Sequence, residues 1–124
     1  MNALLDRLLS PRLLRPLFWL MAMVALTMAL LPKPPHTPFD QFGDKFEHML
    51  AFASLAGVGA FAWPRIQPLR LLLALSTFGA AIEVLQAIPM LHRDSDWHDW
   101  LADTVAALVA LFIARQLAAW LERS

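Results

Sequence analysis

The sequence predicts an all-α integral membrane protein: a four-helix bundle with both termini in the cytoplasm. Three observations carry that reading. First, 59% of the 124 residues are hydrophobic and the mean hydropathy is +0.54, more apolar surface than a soluble domain of this length buries. Second, charged residues make up only 16%, against roughly a quarter in an ordinary soluble domain. Third, four apolar stretches each approach the roughly 20 residues that cross about 30 Å of hydrocarbon. In lipid the backbone must satisfy its own hydrogen bonds, so such stretches are helical. The length leaves room for one domain, residues 1–124.

The elements follow from local signals. Residues 2–9 read as a short interfacial helix with Asp6 and Arg7 facing water. The first span covers residues 11–31, with Ser10 at the N-cap, Pro11 at the first helical position and Pro32 as the stop. Leu30-Leu31-Pro32-Lys33 offers no small-residue cleavage site, so this span is read as retained rather than as a signal peptide. Lys33, Pro34, Pro35 and Pro38 form a stiff linker. The second span covers residues 44–63 and ends before Pro64. The third covers 68–88 and ends at Pro89, and the fourth covers 96–120.

Orientation follows from the cations. Arg7, Arg12, Arg15, Arg65, Arg70, Arg115 and Arg123 fall on one side, and Lys33, Lys45 and Arg93 on the other. The richer side faces the cytoplasm by the positive-inside rule. Acids show the reverse bias: Asp40, Asp44, Glu47, Glu83, Asp94, Asp96, Asp99 and Asp103 all fall on the outer side. Trp63 and Trp120 at inner ends, and Trp97 and Trp100 at an outer end, read as aromatic belts. Small residues mark helix contacts: Ala102, Ala106, Ala110, Ala114 and Ala118 in one column, Ala53 with Gly57, Ala56 with Ala60, and Ser76, Gly79 and Ala80.

Composition also excludes function classes. A net charge of zero argues against a nucleic-acid surface, and the absence of cysteine removes disulfides, thiolate metal sites and a cysteine nucleophile. No H-E-x-x-H, G-x-S-x-G or phosphate-cradling glycine loop is present.

The chemistry concentrates at one level. Asp44 and His48 share a face of the second span, Glu83 and Gln86 a face of the third, and Asp99 and Asp103 a face of the fourth. His48, Glu83 and Asp103 lie one to two helical turns inside the outer span ends, and the loop from His92 to Asp96 passes over them. A carboxylate in hydrocarbon costs several kcal/mol even on gentle scales (about 2.5–3.5). Glu83 therefore turns into the bundle and finds a partner among Lys45, His48 and Arg93, or a proton, or an added cation. Plainer roles compete. Asp44 and Lys45 suit a helix start as cap and dipole partner. Glu47, Asp94 and Asp96 suit solvent, and His92 and His98 suit an interface.

Asp44-Lys45 with His48, Glu83-x-x-Gln86, Arg93, and Asp99 with residue 103 together resemble the pattern of the VanZ-like family of small bacterial membrane proteins, over residues 44–110. The chain departs from it at Asp103 (usually Asn), Ala106 (usually Gly), Phe52 (often Tyr) and Leu91-His92 (often Pro-Gly). The founding member is associated with low-level resistance to the glycopeptide teicoplanin. The resemblance thus implies the cell envelope of a bacterium and its cytoplasmic (inner) membrane.

Two functions of different class are expected from these residues. One is an outer-leaflet site that binds or acts on an amphiphilic or lipid-linked envelope molecule. There Lys45 and Arg93 hold an anionic head group, His48 or Glu83 serves as the catalytic base, Asp44 and Gln86 complete the binding set, and Asp99 with Asp103 holds a divalent cation. The other is a non-enzymatic module acting on a partner membrane protein, with the cluster as a polar lock between helices. A transporter is disfavoured because little polar continues into the inner half beyond Ser54, Ser76, Thr77 and Thr104.

Overall fold

The computed structural model describes residues 3–31, 44–88 and 97–123. They form five helices: α1 (Ala3–Leu8), α2 (Pro11–Leu30), α3 (Asp44–Ala62), α4 (Pro68–Gln86) and α5 (Trp97–Arg123). The boundaries follow the proline signals. Pro11 and Pro68 open α2 and α4, where the missing N–H costs nothing, and the residues before them, Ser10 and Gln67, are extended. Ser10 occupies the N-cap position as expected but makes no side-chain cap bond. α5 runs on through Leu121, Glu122 and Arg123, past the expected end at residue 120, because no proline or glycine stops it.

Three helices, α2, α4 and α5, are long and apolar enough to cross a membrane. The chain is all-helical among its described residues, and its helices suit a lipid bilayer. α3 falls short of the four spans expected, because its first turn carries Asp44, Lys45, Glu47 and His48. Its packing explains the tolerance. α3 makes the most extensive helix contact, with α5, and also meets α2 and α4. Ionisable residues of a membrane helix are tolerated where they face other helices or its ends, and Lys45 is met there by Asp99.

Small residues let α3 and α5 approach. Ala56 and Ala60 on α3, and Ala107 and Ala114 on α5, are buried with Leu55 and Leu111 between them. Of the expected alanine column of α5, Ala114 is buried and Ala110 packs against the core, while Ala102, Ala106 and Ala118 are half-buried; toward the start of the helix the buried face is one position on, through Asp103, Ala107 and Leu111. On α4, Val84 is 70% exposed while its neighbour Glu83 is 8% exposed. This inside-out ordering, apolar outward and acid inward, is what lipid rather than water selects.

The turn between α3 and α4 is held by arginines. The Arg115 guanidinium donates to the carbonyls of Pro64 (2.9 Å), Trp63 (3.0 Å) and Ile66 (2.9 Å). Arg15 Nε donates to Ala62 O at 3.0 Å, and its guanidinium lies over the Trp63 ring, 5.6 Å from the centroid. Trp63 in turn meets Phe18 and Trp19 edge-on.

Arg115→Met keeps the aliphatic stem and removes the fork. Bonds to charged groups contribute roughly 1.5–3 kcal/mol each, non-additively, so thermal unfolding in detergent should show a loss of several kcal/mol. Arg115→Lys should recover only part of it, since one ammonium cannot span three carbonyls. An unchanged midpoint for Arg115→Met would mean that the turn holds itself.

Candidate functional site

The expected residues gather at the end of the molecule where α3 and α5 begin and α2 and α4 finish. Three buried polar side chains sit there: Glu83 and Gln86 on α4 and Asp103 on α5, with relative exposures of 8%, 1% and 3%. Glu83 and Gln86 share a face because they are three apart, and Asp99 and Asp103 because they are four apart. At the mouth, Lys45 Nζ lies 3.7 Å from Asp99 Oδ1, joining α3 to α5; the side chains are 52% and 19% exposed. A pair this exposed contributes at most about 1 kcal/mol. Its consequence here is placement, since it sets Lys45 against Asp99 and near Asp103.

Asp103 is the exceptional member. Asp99 and Glu83 act on it as like charges and Lys45 as the opposing one. Its Oδ1 is buried and has no hydrogen-bond partner among the described residues. Unsatisfied buried acceptors are uncommon, and they mark strain or a bound group.

Gln86 has a second task. Its Nε2 donates to Ala29 O at 2.9 Å in a buried bond between α4 and the last turn of α2. The final carbonyls of a helix lack intrahelical partners, so Gln86 supplies one that lipid cannot. Its Oε1 is buried without a partner among the described residues.

One layer deeper, α4 and α5 are joined again. Trp100 Nε1 donates to Ser76 O at 2.9 Å, and Thr104 Oγ1 donates to Trp100 O at 2.9 Å. Because that uses the single Thr104 hydroxyl proton, the 3.1 Å contact between Ser76 Oγ and Thr104 Oγ1 has Ser76 as donor. Gly79 packs against both rings: a Cβ there would sit in ordinary van der Waals contact, 3.4 Å from Phe52 Cζ and Trp100 Cδ1. Trp100, expected in an aromatic belt, is therefore turned inward as a donor. Trp97 stays exposed and stacks on His98 at 3.9 Å.

The other expected members separate. His48 is half-buried and makes no hydrogen bond or ion pair with a described residue. Arg93, with His92, Asp94 and Asp96, lies outside the described residues, as do the Lys33 linker and the Asp44 side chain. Among the described residues no group of three or more His, Asp or Glu side chains is arranged to hold a metal ion, so Asp99 and Asp103 gain no third protein ligand there.

An apolar groove of about 420 Å³ runs between α2 and α3, lined by residues such as Leu20, Val24, Met28 and Leu50. Glu47, from the same turn as Lys45, stands at its polar end. Sequence reasoning missed this groove, because it is made by the angle between two helices. It also missed the paired carbonyl anchors Arg15 and Arg115. Their signal was present, since an arginine inside the apolar run of α5 needs a partner.

Comparison with protein-family models, with curated proteins and with solved structures finds no match to this chain.

Asp103→Asn keeps the shape and removes one of the clustered charges. The variant should unfold at the same temperature or higher, by about 1–2 kcal/mol in stability at neutral pH, as relief of like-charge burial predicts. Asp99→Asn, at the exposed mouth, should change little. A marked loss of stability in Asp103→Asn would show that the Asp103 charge is offset by a bound cation or by a residue outside those described.

Proposed function

We propose that the chain crosses the bacterial cytoplasmic membrane four times as a helical bundle with both termini inside. In this reading the acidic end opens to the outer leaflet and binds or acts on an amphiphilic, lipid-linked envelope molecule. The observation that carries the reading is the burial of Glu83, Gln86 and Asp103 on two adjacent helices, with Asp103 Oδ1 without a hydrogen-bond partner among the described residues. Polar groups at this depth are costly for a protein that only needs to hold helices together. Lys45 and Asp99 form the rim, where an incoming head group meets both charges. The α2–α3 groove, apolar along its length and rimmed by Glu47, is of the kind that accepts an acyl or polyprenyl tail. The resemblance of Asp44 to Asp103 to the VanZ-like pattern gives the same direction, toward the envelope and a glycopeptide-resistance setting. Glu83 is the group assigned to proton transfer, His48 a second titratable group near it in sequence register, and Arg93 a further anion contact.

A second reading is favoured by one observation of its own. Gln86 to Ala29 O and the Ser76–Thr104–Trp100 chain both tie helices together. On this view the cluster is a lock, and the protein acts as a non-enzymatic module on a partner membrane protein.

Native mass spectrometry of the protein released from mild detergent separates the two. A lipid or ion should remain on the wild type and be reduced on Glu83→Gln and on Asp103→Asn. If wild type and both folded variants carry the same adducts, or none, the binding site is refuted and the lock remains.

A further inference from the structure

The opposite end of the molecule carries a pocket that the reading above does not use. It measures about 350 Å³ and is lined by Pro11, Arg15, Trp63, Pro64, Arg65 and Ile66. Two arginines and a tryptophan therefore line one largely apolar cavity, and no acidic residue among those described does. The wall is preorganised. Arg115 draws the carbonyls of Trp63, Pro64 and Ile66 toward itself, and Arg15 Nε holds Ala62 O. The turn's negative dipole ends are thereby occupied, while the remaining guanidinium donors of Arg15 are not. Neither Arg15 nor Arg65, nor Arg12 or Arg70 nearby in sequence, forms an ion pair with a described residue. The acid Glu122 borders a neighbouring cavity with Arg115, not this one.

Cationic groups without carboxylate partners, on a rigid backbone and beside an aromatic ring, suit an oxyanion with several acceptors. The surroundings decide its source. The helices that flank the pocket continue with exposed leucines, Leu13 and Leu17 on α2 and Leu69 and Leu73 on α4. An anion held here has hydrocarbon surface directly beside it. Basic pockets between membrane helices recognise phospholipid head groups in this way, with tryptophan at the interfacial level.

We propose that the pocket bounded by Arg15, Trp63 and Arg65 is a binding site for the head-group phosphate of an anionic phospholipid, whose acyl chains lie along the exposed leucines of α2 and α4. The site is independent of the acidic end and needs no residue from it.

The test uses the full chain in a neutral detergent with phosphatidylglycerol and phosphatidylcholine of identical acyl chains, read by native mass spectrometry. Arg65 is exposed and forms no hydrogen bond or ion pair with a described residue, so Arg65→Gln tests the pocket, with an unchanged unfolding temperature as the check that the fold is intact. Arg123→Gln removes the same charge from the far end of α5. Wild type should retain phosphatidylglycerol over phosphatidylcholine, and Arg65→Gln should reduce that preference roughly fivefold, as expected for about 1 kcal/mol per arginine near a membrane surface. Arg123→Gln should leave it unchanged. Equal retention of both lipids, or an undiminished preference in Arg65→Gln, overturns the proposal. So does an equal loss in Arg123→Gln, which would make the effect diffuse charge. A rise in unfolding temperature with millimolar inorganic phosphate as large as that with phosphatidylglycerol would assign the pocket to a small anion and overturn the lipid site.

Discussion

Hydrocarbon gives a polar side chain nothing to bond to, and that constraint sets the rotation of α4 and α5. Glu83, Gln86 and Asp103 turn inward. Once they do, Val84 on α4 and Val105 on α5 must turn outward. Helices packed this way cannot rely on the hydrophobic effect, because lipid tails are as apolar as leucine. Close approach through small residues and interhelical hydrogen bonds must hold them. Both are present: the alanine contacts of α3 on α5, and the bonds from Gln86, Trp100 and Ser76.

The two ends solve the problem of charge differently. At the arginine-rich end Arg15 and the half-buried Arg115 donate to carbonyl oxygens of a tight turn, while Arg115 Nε has no partner among the described residues. At the acidic end Asp99 meets Lys45, itself half in solvent, and Asp103 Oδ1 has no hydrogen-bond partner among the described residues. A satisfied network rigidifies, whereas a partly satisfied one in low dielectric retains capacity for a further group. The acidic end leaves acceptors over, which a cation or a donor group can meet, and the arginine–turn contacts join three helices to one turn; function is therefore proposed at the first and structure at the second.

α3 shows how membrane and tertiary demands trade. Its polar first turn keeps it below the apolarity of a lipid-facing span. Yet it touches all the other long helices and makes the most extensive contact of any pair, with α5. Its neighbours supply the apolar environment that its own sequence does not advertise, and Lys45 at its start is met by Asp99 rather than by lipid.

Much was legible before any coordinates. Proline placed the helix starts at Pro11 and Pro68, and apolar run length marked α2, α4 and α5. The cost of a buried acid singled out Glu83 and Asp103, since that cost depends on depth and residue type alone. What could not be read was pairing. Which carbonyl Gln86 meets, why Trp100 turns inward, where Arg115 reaches, and that the buried face toward the start of α5 lies one position from its alanine column all depend on helix crossing and rotation. Sequence by itself determined that these segments are helical and that these side chains must be sheltered, because hydrocarbon imposes both on any chain. Only the tertiary structure decided what shelters them, because partners fifty residues apart are chosen by geometry between helices and not by spacing along one.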